Sequence, residues 1–529
     1  MPDQPRHARP DRAPALAAMT FRSILFAGEC AGDGGARPAE PAHFADLNLD
    51  QVVARIAQGR EDYDLVPFFH IPLGDADAVA FRHEVMRDLE DGRRRGHVGS
   101  FGEAMREVRA SLAKAGALAY RAERERWLLD AVERYCDAVS ALARDLADAP
   151  PDSRGLAAFA RYLASYAASQ AFGELRARAR SVGSELAGIR YALLVRGLRV
   201  EVRAPGQEDV YSPDIERLFE RFRDGDIEPY TFRSSRAQEM SQIDAMIFDL
   251  VARHYPGTFA RLSAFCAENG DFLDSGVVRF DREIQFYTAV LDHIDRLRPA
   301  GLDFCYPTIV AQGEDISSRD GFDLALAGAV AGTGTPVVCN DFRLAGKERI
   351  IVVTGPNQGG KTTFARAFGQ MHYLASLGLP VPGSEARLRL CDGVFTHFER
   401  RETIDDARGR LKDDLVRIDD ILRRATGRSV VIVNEIFSST SFRDARWLAR
   451  EIAGRLIERG VAGVWVTFID EIASLGDETV SMVSGMAPGS ADQRTFTIVR
   501  RPADGLAYAH SIARRHGLTA EAIAERLGR

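Results

Sequence analysis

Ile350-Ile-Val-Val-Thr354 runs directly into Gly355-Pro-Asn-Gln-Gly-Gly360-Lys361-Thr362-Thr363. Five consecutive β-branched residues favour a strand, and a run with no polar face suits one buried on both sides. The residues that follow fit G-x-x-x-x-G-K-[ST], the loop that wraps phosphates between a strand and a helix. Its glycines let successive backbone N–H groups turn onto phosphate oxygens, and the helix beginning near Thr363 adds the partial positive charge of its N-terminus. Lys361 supplies a point charge for the β and γ phosphates, and the Thr362 hydroxyl can ligate Mg²⁺. Gly355, Pro356, Asn357, Gln358, Gly359, Gly360, Lys361, Thr362 and Thr363 are therefore the candidate nucleotide contacts. Only four of the 69 basic residues are lysines (Lys114, Lys347, Lys361 and Lys412), so a lysine at this one position carries weight.

A second buried run, Ser429-Val-Val-Ile-Val-Asn434-Glu435, ends in polar residues at a strand's carboxyl edge, where ligands collect in sheets of this kind. Glu435 is placed to orient or activate an attacking water. Asn434 stands where an aspartate usually holds the magnesium shell; an amide oxygen can still accept a bond from Thr362 or from a metal-bound water, without the charge.

Outward from these motifs the chain divides near residue 299. Downstream, short β-branched runs (Ile350–Thr354, Val430–Val433, Val464–Thr467) alternate with helical patterns, which indicates a doubly wound, mostly parallel sheet over residues 299–529. Upstream, residues 21–298 read as mainly helical. Met105, Val108, Leu112 and then Trp127, Leu128, Val132, Tyr135 recur at three- and four-residue spacing before Pro150, and one further helix is expected over Gly155–Ser181. Val66–Pro72 reads as an extended piece. The alternation in Tyr191–Val202 predicts a β-hairpin inserted among the helices, within about 187–205. Helices are expected again over Asp214–Arg223, Arg236–His254, Gly257–Asn269 and Val277–Leu297, and residues 1–20 read as a disordered tail.

Composition narrows the class. The 529 residues carry a net charge of −7, so nothing pulls the whole chain toward a polyanion, and 46% hydrophobic with 27% charged residues is the balance of a globular protein. No stretch matches a membrane span or a signal peptide, which places the chain in the cytoplasm. Cys30, Cys136, Cys266, Cys305, Cys339 and Cys391 form no C-x-x-C pair and read as thiols in a reducing compartment, with no structural metal. His372, His397 and Asp392 assemble into no triad with a G-x-S-x-G elbow. The aromatics around Trp127 and Tyr135 read as core, and Asp405-Asp406 and Asp419-Asp420 as solvated helix charges.

Thr354-Gly-Pro-Asn-Gln-Gly-Gly-Lys-Thr-Thr363 closely resembles the phosphate loop of the MutS DNA mismatch repair ATPases, T-G-P-N-x-G-G-K-[ST]. Gly378-Leu-Pro-Val-Pro382, Phe395-Thr396 and Asn434-Glu-Ile-Phe-Ser-Ser-Thr-Ser441 resemble that family's G-x-x-V-P, its next strand and its D-E-I-x-x-G-T-S. Tyr508 and Gly517–Ile523 resemble its C-terminal helix-turn-helix. Val79-Ala-Phe-Arg-His-Glu-Val85 resembles the opening of its core domain, whose long helices act as levers. The match is strong over about 300–529 and faint over 45–298.

The resemblance implies an ABC-type ATPase domain behind a helical core and lever region, ATP with Mg²⁺ as cofactors, and Asn340 as a further ATP contact. It implies catalytic roles for Glu435 and Lys361, Mg²⁺ on Thr362 with Asn434 in its outer shell, and a homodimer braced by residues after about 505. The hairpin is similar to a reduced DNA clamp, with Arg196, Arg199 and Arg203 as candidate phosphate contacts for duplex, branched or damaged DNA. Departures accompany it. A mismatch-reading domain with its F-x-E wedge would need more room upstream, and the chain ends without the nuclease domain some relatives carry. The switch histidine is Phe468, the adenine-stacking aromatic before Asn340 is Val337, and Gly409-Arg-Leu-Lys412 offers no signature serine. Three of these changes touch hydrolysis or its sensing, which suits a slow ATPase acting on DNA in repair or recombination. A nucleotide-switched scaffold that clamps a protein or RNA and barely hydrolyses is the alternative.

Overall fold

The computed structural model describes residues 21–28, 38–196, 199–203, 242–399, 410–437, 440–486, 494–503 and 518–527. It is multidomain, with two compact units: 91–151 with 156–281, and 23–90 with 152–155 and the described residues from 282 onward.

The first unit is helical. Gly92–Ala117 and Arg121–Asp148 pack along each other; Val98, Phe101, Met105 and Val108 on the first and Leu129, Val132, Tyr135 and Val139 on the second are buried, the spacing of a helix with one apolar stripe. The single helix expected over Gly155–Ser181 is two, Arg154–Ala167 and Gln170–Ala187, because the Ser169 side chain accepts from Phe172 N–H and caps a new helix. Phe159 stacks on Phe280 with ring centroids 3.5 Å apart. The hairpin is present: Ala192–Arg196 pairs antiparallel with Arg199–Arg203. The helix expected over Asp214–Arg223 lies outside the described residues.

The second unit holds a six-stranded mixed sheet built from β1 (Ile350–Thr354), β2 (Val394–Phe398), β3 (Val430–Asn434), β4 (Ala462–Val466), β5 (Thr479–Met486) and β6 (Arg494–Arg500). Their order is β2-β3-β4-β1-β5-β6, all neighbours parallel except the antiparallel pair β5–β6. The helices α1 (Lys361–Ser376), α2 (Arg410–Arg424) and α3 (Phe442–Glu458) alternate with the strands, and β1, β3 and β4 are buried throughout. That is why their sequences are unbroken apolar runs.

Residues 23–90, which the sequence grouped with the helical region, pack in this unit. Phe44 and Leu47 are buried, Gln370 Nε2 donates to Leu47 O at 2.8 Å, Arg366 Nε to Asp46 O at 3.0 Å, and Tyr373 OH to Phe69 O at 2.8 Å. All three donors lie on α1, so this segment buttresses the helix that opens with Lys361. Arg82 is 0% exposed; it donates to Leu25 O at 2.9 Å and Leu377 O at 2.7 Å, with Phe26 and Phe286 against its guanidinium. Val66–His70, expected to be extended, is a 3-10 turn with Pro67 in its first turn, where a missing N–H does no harm.

Candidate nucleotide site

The phosphate loop leaves β1 after Thr354 and enters α1 at Lys361. Gly355 has φ 117° and Gly360 φ 87°, angles a side chain resists, and a Cβ on Gly359 would stand 2.2 Å from Ser484 Oγ. Backbone angle and space both demand glycine here. Lys361 is 5% exposed; its ammonium donates to the carbonyls of Gly355 and Pro356, each at 3.0 Å, and to Asn357 Oδ1 at 3.4 Å. Burial holds its pKa below the ordinary lysine value; the Glu435 carboxylate, 3.7 Å away, opposes that shift, and the charge of Arg494 adds to it.

The sheet register brings the second motif to the loop. Val466 of β4 pairs with Val353 of β1 on one side and Asn434 of β3 on the other. The Thr362 hydroxyl donates to Asn434 Oδ1 at 3.0 Å. Glu435 follows at φ 51°, its N–H donating to Val466 O at 3.0 Å. A glutamate in the left-handed region stores about 1–3 kcal/mol of strain, a cost that gathers at functional sites. The Glu435 carboxylate stands 3.7 Å from the Lys361 ammonium.

A cavity of about 580 Å³ opens over the loop, reaching Asn340, Asn357 to Thr363 and Glu435. Leu326, Val330, Pro336 and Val338 form an apolar wall, and Phe496 also lines the space, 49% exposed and at φ 58°. A polar, cationic floor beneath an apolar and aromatic flank matches the two halves of a nucleotide. Asn340 accepts from Ile498 N–H at 2.6 Å and donates to Phe496 O at 3.2 Å, so it also fixes the strand that carries Phe496. Sequence reasoning passed over Phe496, Ser484 and Arg494. Alternation in Arg494–Arg500 marks a strand, but nothing in it marks a left-handed phenylalanine.

Hard oxygen donors suit Mg²⁺, and Thr362 Oγ1 with Asn434 Oδ1 beside it form such a pair. Among the described residues no group of three His, Cys, Asp or Glu could hold a metal by itself.

Residues 351–524 match the model of MutS domain V. The chain is 31% identical over 191 residues to the DNA mismatch repair protein MutS of Oleidesulfovibrio alaskensis, and 30% over 188 residues to the endonuclease MutS2 of Thermus thermophilus. It is 27% identical over 259 residues to the DNA mismatch repair protein MutS of Granulibacter bethesdensis. The chain is MutS-like.

These alignments cover 35%, 35% and 49% of the chain but only 21%, 25% and 26% of the relatives' lengths. The domain V match over 351–524 holds the phosphate loop, Asn434 and Glu435; Asn340 and the hairpin lie upstream of that match. In the hairpin Arg196 stands opposite Arg199 and Ala192 opposite Arg203, whose Nε donates to Glu201 Oε1 at 3.0 Å; the side chains of Arg196 and Arg199 lie outside the described structure. Phe468 is 52% exposed, its ring 6.2 Å from that of Phe442. Tyr508, Gly517, Gly409 and Asp405-Asp406 lie outside the described residues; near the C-terminus a helix spans Ala520–Arg526, capped by Thr519.

The residues set aside as catalytic each have local partners. His372 bonds Phe368 O at 2.9 Å, and burial lowers its pKa to about 4. His397 lies 3.2 Å from Asp414, and Asp392 accepts from Ser429 and Thr426. Tyr135 is core, while Trp127 is partly exposed under the Lys114 ammonium. Asp419 and Asp420 pair with Arg423 and Arg424 one turn on. The five described cysteines are free thiols, and Cys30 lies outside the described residues. Among the described residues no helix is long and apolar enough to cross a membrane.

Proposed function

We propose that this MutS-like chain is an ABC-type ATPase that binds ATP with Mg²⁺ and hydrolyses it slowly while acting on DNA in repair or recombination. The observation that carries the reading is the convergence, across three strands, of Lys361, Thr362, Asn434 and Glu435 on one loop. Lys361 and the backbone N–H groups of Asn357–Thr363 hold the phosphates. Glu435 accepts a proton from the attacking water, and the apolar flank with Phe496 and Asn340 holds the base. Bound Mg²⁺ would supply charge neutralisation at the β and γ oxygens, held through Thr362 with Asn434 behind it.

Neutral Asn434 favours slow turnover, because it places an uncharged group where charge would help the transition state, and Phe468 stands where the resemblance implies a switch histidine. ATP-dependent repositioning of the lever helices around DNA, a homodimer with composite sites, and a cytoplasmic location complete the proposal. The test is a titration of the full chain against duplex, mismatched and four-way-junction DNA, with and without ATP, over a range of salt. Salt-dependent binding altered by ATP supports it; no binding to any DNA at low salt would leave the nucleotide-switched scaffold for a protein or RNA.

A further inference from the structure

Strands β5 and β6 form an antiparallel ribbon beside β1, with Val483 paired to Thr354 at the point where the phosphate loop begins. Two side chains from this ribbon reach the loop. Ser484, fully buried, donates its hydroxyl hydrogen to Gly359 O at 2.6 Å. Arg494 donates Nε–H to Asn357 O at 2.7 Å. All peptide bonds of the described residues are trans, and in a trans peptide the C=O and the following N–H point in opposite directions. Holding the carbonyls of Asn357 and Gly359 toward the ribbon therefore turns the N–H groups of Gln358 and Gly360 away from it.

From this we infer that Ser484 and Arg494 are positioning residues of the nucleotide site, fixing two peptide planes of the phosphate loop so that their amides are pre-aimed at phosphate oxygens. The inference rests on the nucleotide-binding reading above. Preorganisation of this kind raises affinity by removing the cost of ordering the loop at the moment of binding. Neither side chain needs to touch the nucleotide. Gly359 has no room for a side chain because Ser484 occupies that space, so the serine and the glycine form a matched pair. Asn340 ties β6 to the pocket from the other side, through Phe496 O and Ile498 N–H. One ribbon thereby holds the phosphate-facing loop and carries the aromatic flank.

A ribbon that aims amides at phosphates contributes only to ligands that carry phosphates. The experiment uses the full chain with Ser484→Ala, Arg494→Gln and Arg494→Lys, measuring affinity for ATP, ADP and adenosine by calorimetry and the melting temperature without nucleotide. Each of the first two variants should bind ATP and ADP about fivefold to tenfold more weakly, the worth of one well-placed hydrogen bond, while adenosine affinity and melting temperature stay at wild-type values. Arg494→Lys, which keeps a charged donor, should recover part of the loss. If Ser484→Ala lowers the melting temperature, partly exposed Arg494 carries the test alone. ATP and ADP affinities within twofold of wild type, or an equal loss for adenosine, would overturn the inference while leaving nucleotide binding intact. A wild-type chain that binds no nucleotide would instead remove the reading on which it rests.

Discussion

Thr362 donates its hydroxyl hydrogen to Asn434 Oδ1 across 3.0 Å, joining the first helical turn of the phosphate loop to the end of a strand 72 residues later. The acceptor is an amide oxygen. It offers the geometry of a carboxylate without its charge, and much of the expected behaviour of the site follows from that difference.

Asn434→Asp keeps the acceptor and adds a negative charge beside the place where Mg²⁺ would sit. Steady-state phosphate release should rise about tenfold, equivalent to about 1.4 kcal/mol of transition-state stabilisation. Phe468 caps the gain, since no polar group is restored there. An unchanged or lower rate would show that the amide does not limit turnover.

Glu435→Gln leaves the loop and Lys361 in place and removes the only proton acceptor proposed for the water. ATP affinity should stay within a few-fold of wild type while hydrolysis stops. Full activity in this variant would assign the measured hydrolysis to another base.

The charge on Lys361 makes nucleotide affinity depend on pH. Its protonated form attracts phosphate, and burial lowers the pKa of that ammonium in the free protein. Affinity should therefore be full at neutral pH and fall as pH rises through a value below the ordinary 10.5. Calorimetric titrations with ADP at increasing pH check the sign: affinity that rises with pH would contradict it.

The hairpin arginines make a separate prediction. Replacing Arg196, Arg199 and Arg203 together with glutamine should flatten the salt dependence of duplex affinity, by up to about 0.9 in slope for each phosphate that is no longer neutralised. Because these arginines would contact phosphates and read no base edge, matched and mismatched duplexes should differ by less than the roughly 1–3 kcal/mol of one good base contact. An unchanged slope would mean that the hairpin does not hold phosphates.

What could be read in the sequence was local. The strand before Gly355 and the loop itself are contiguous, and the run ending at Asn434 announces itself by the same unbroken apolar pattern; sheet register then brings the two together. The hairpin was legible because alternation over a few residues between helices has no helical explanation. The rest depends on long-range pairing. Ser484 lies 125 residues from the glycine it contacts and Arg494 137 residues from Asn357, and neither has a local pattern that sets it apart. Residues 23–90 read as part of the mainly helical region over 21–298; that they support α1 emerges only from contacts such as Gln370 to Leu47, 323 residues apart. The left-handed angles of Glu435 and Phe496 are imposed by their surroundings, since either residue would favour ordinary backbone in isolation.

Nucleotide binding by Lys361→Ala, measured beside the wild type with a fluorescent ATP analogue in Mg²⁺, tests the central claim most directly. Lys361 is the only lysine in the loop, buried under it with its ammonium on the Gly355 and Pro356 carbonyls. The wild type should bind saturably and the variant should show no binding at concentrations where the wild type is full. Equal binding by the two proteins would contradict the assignment of this loop as the nucleotide site.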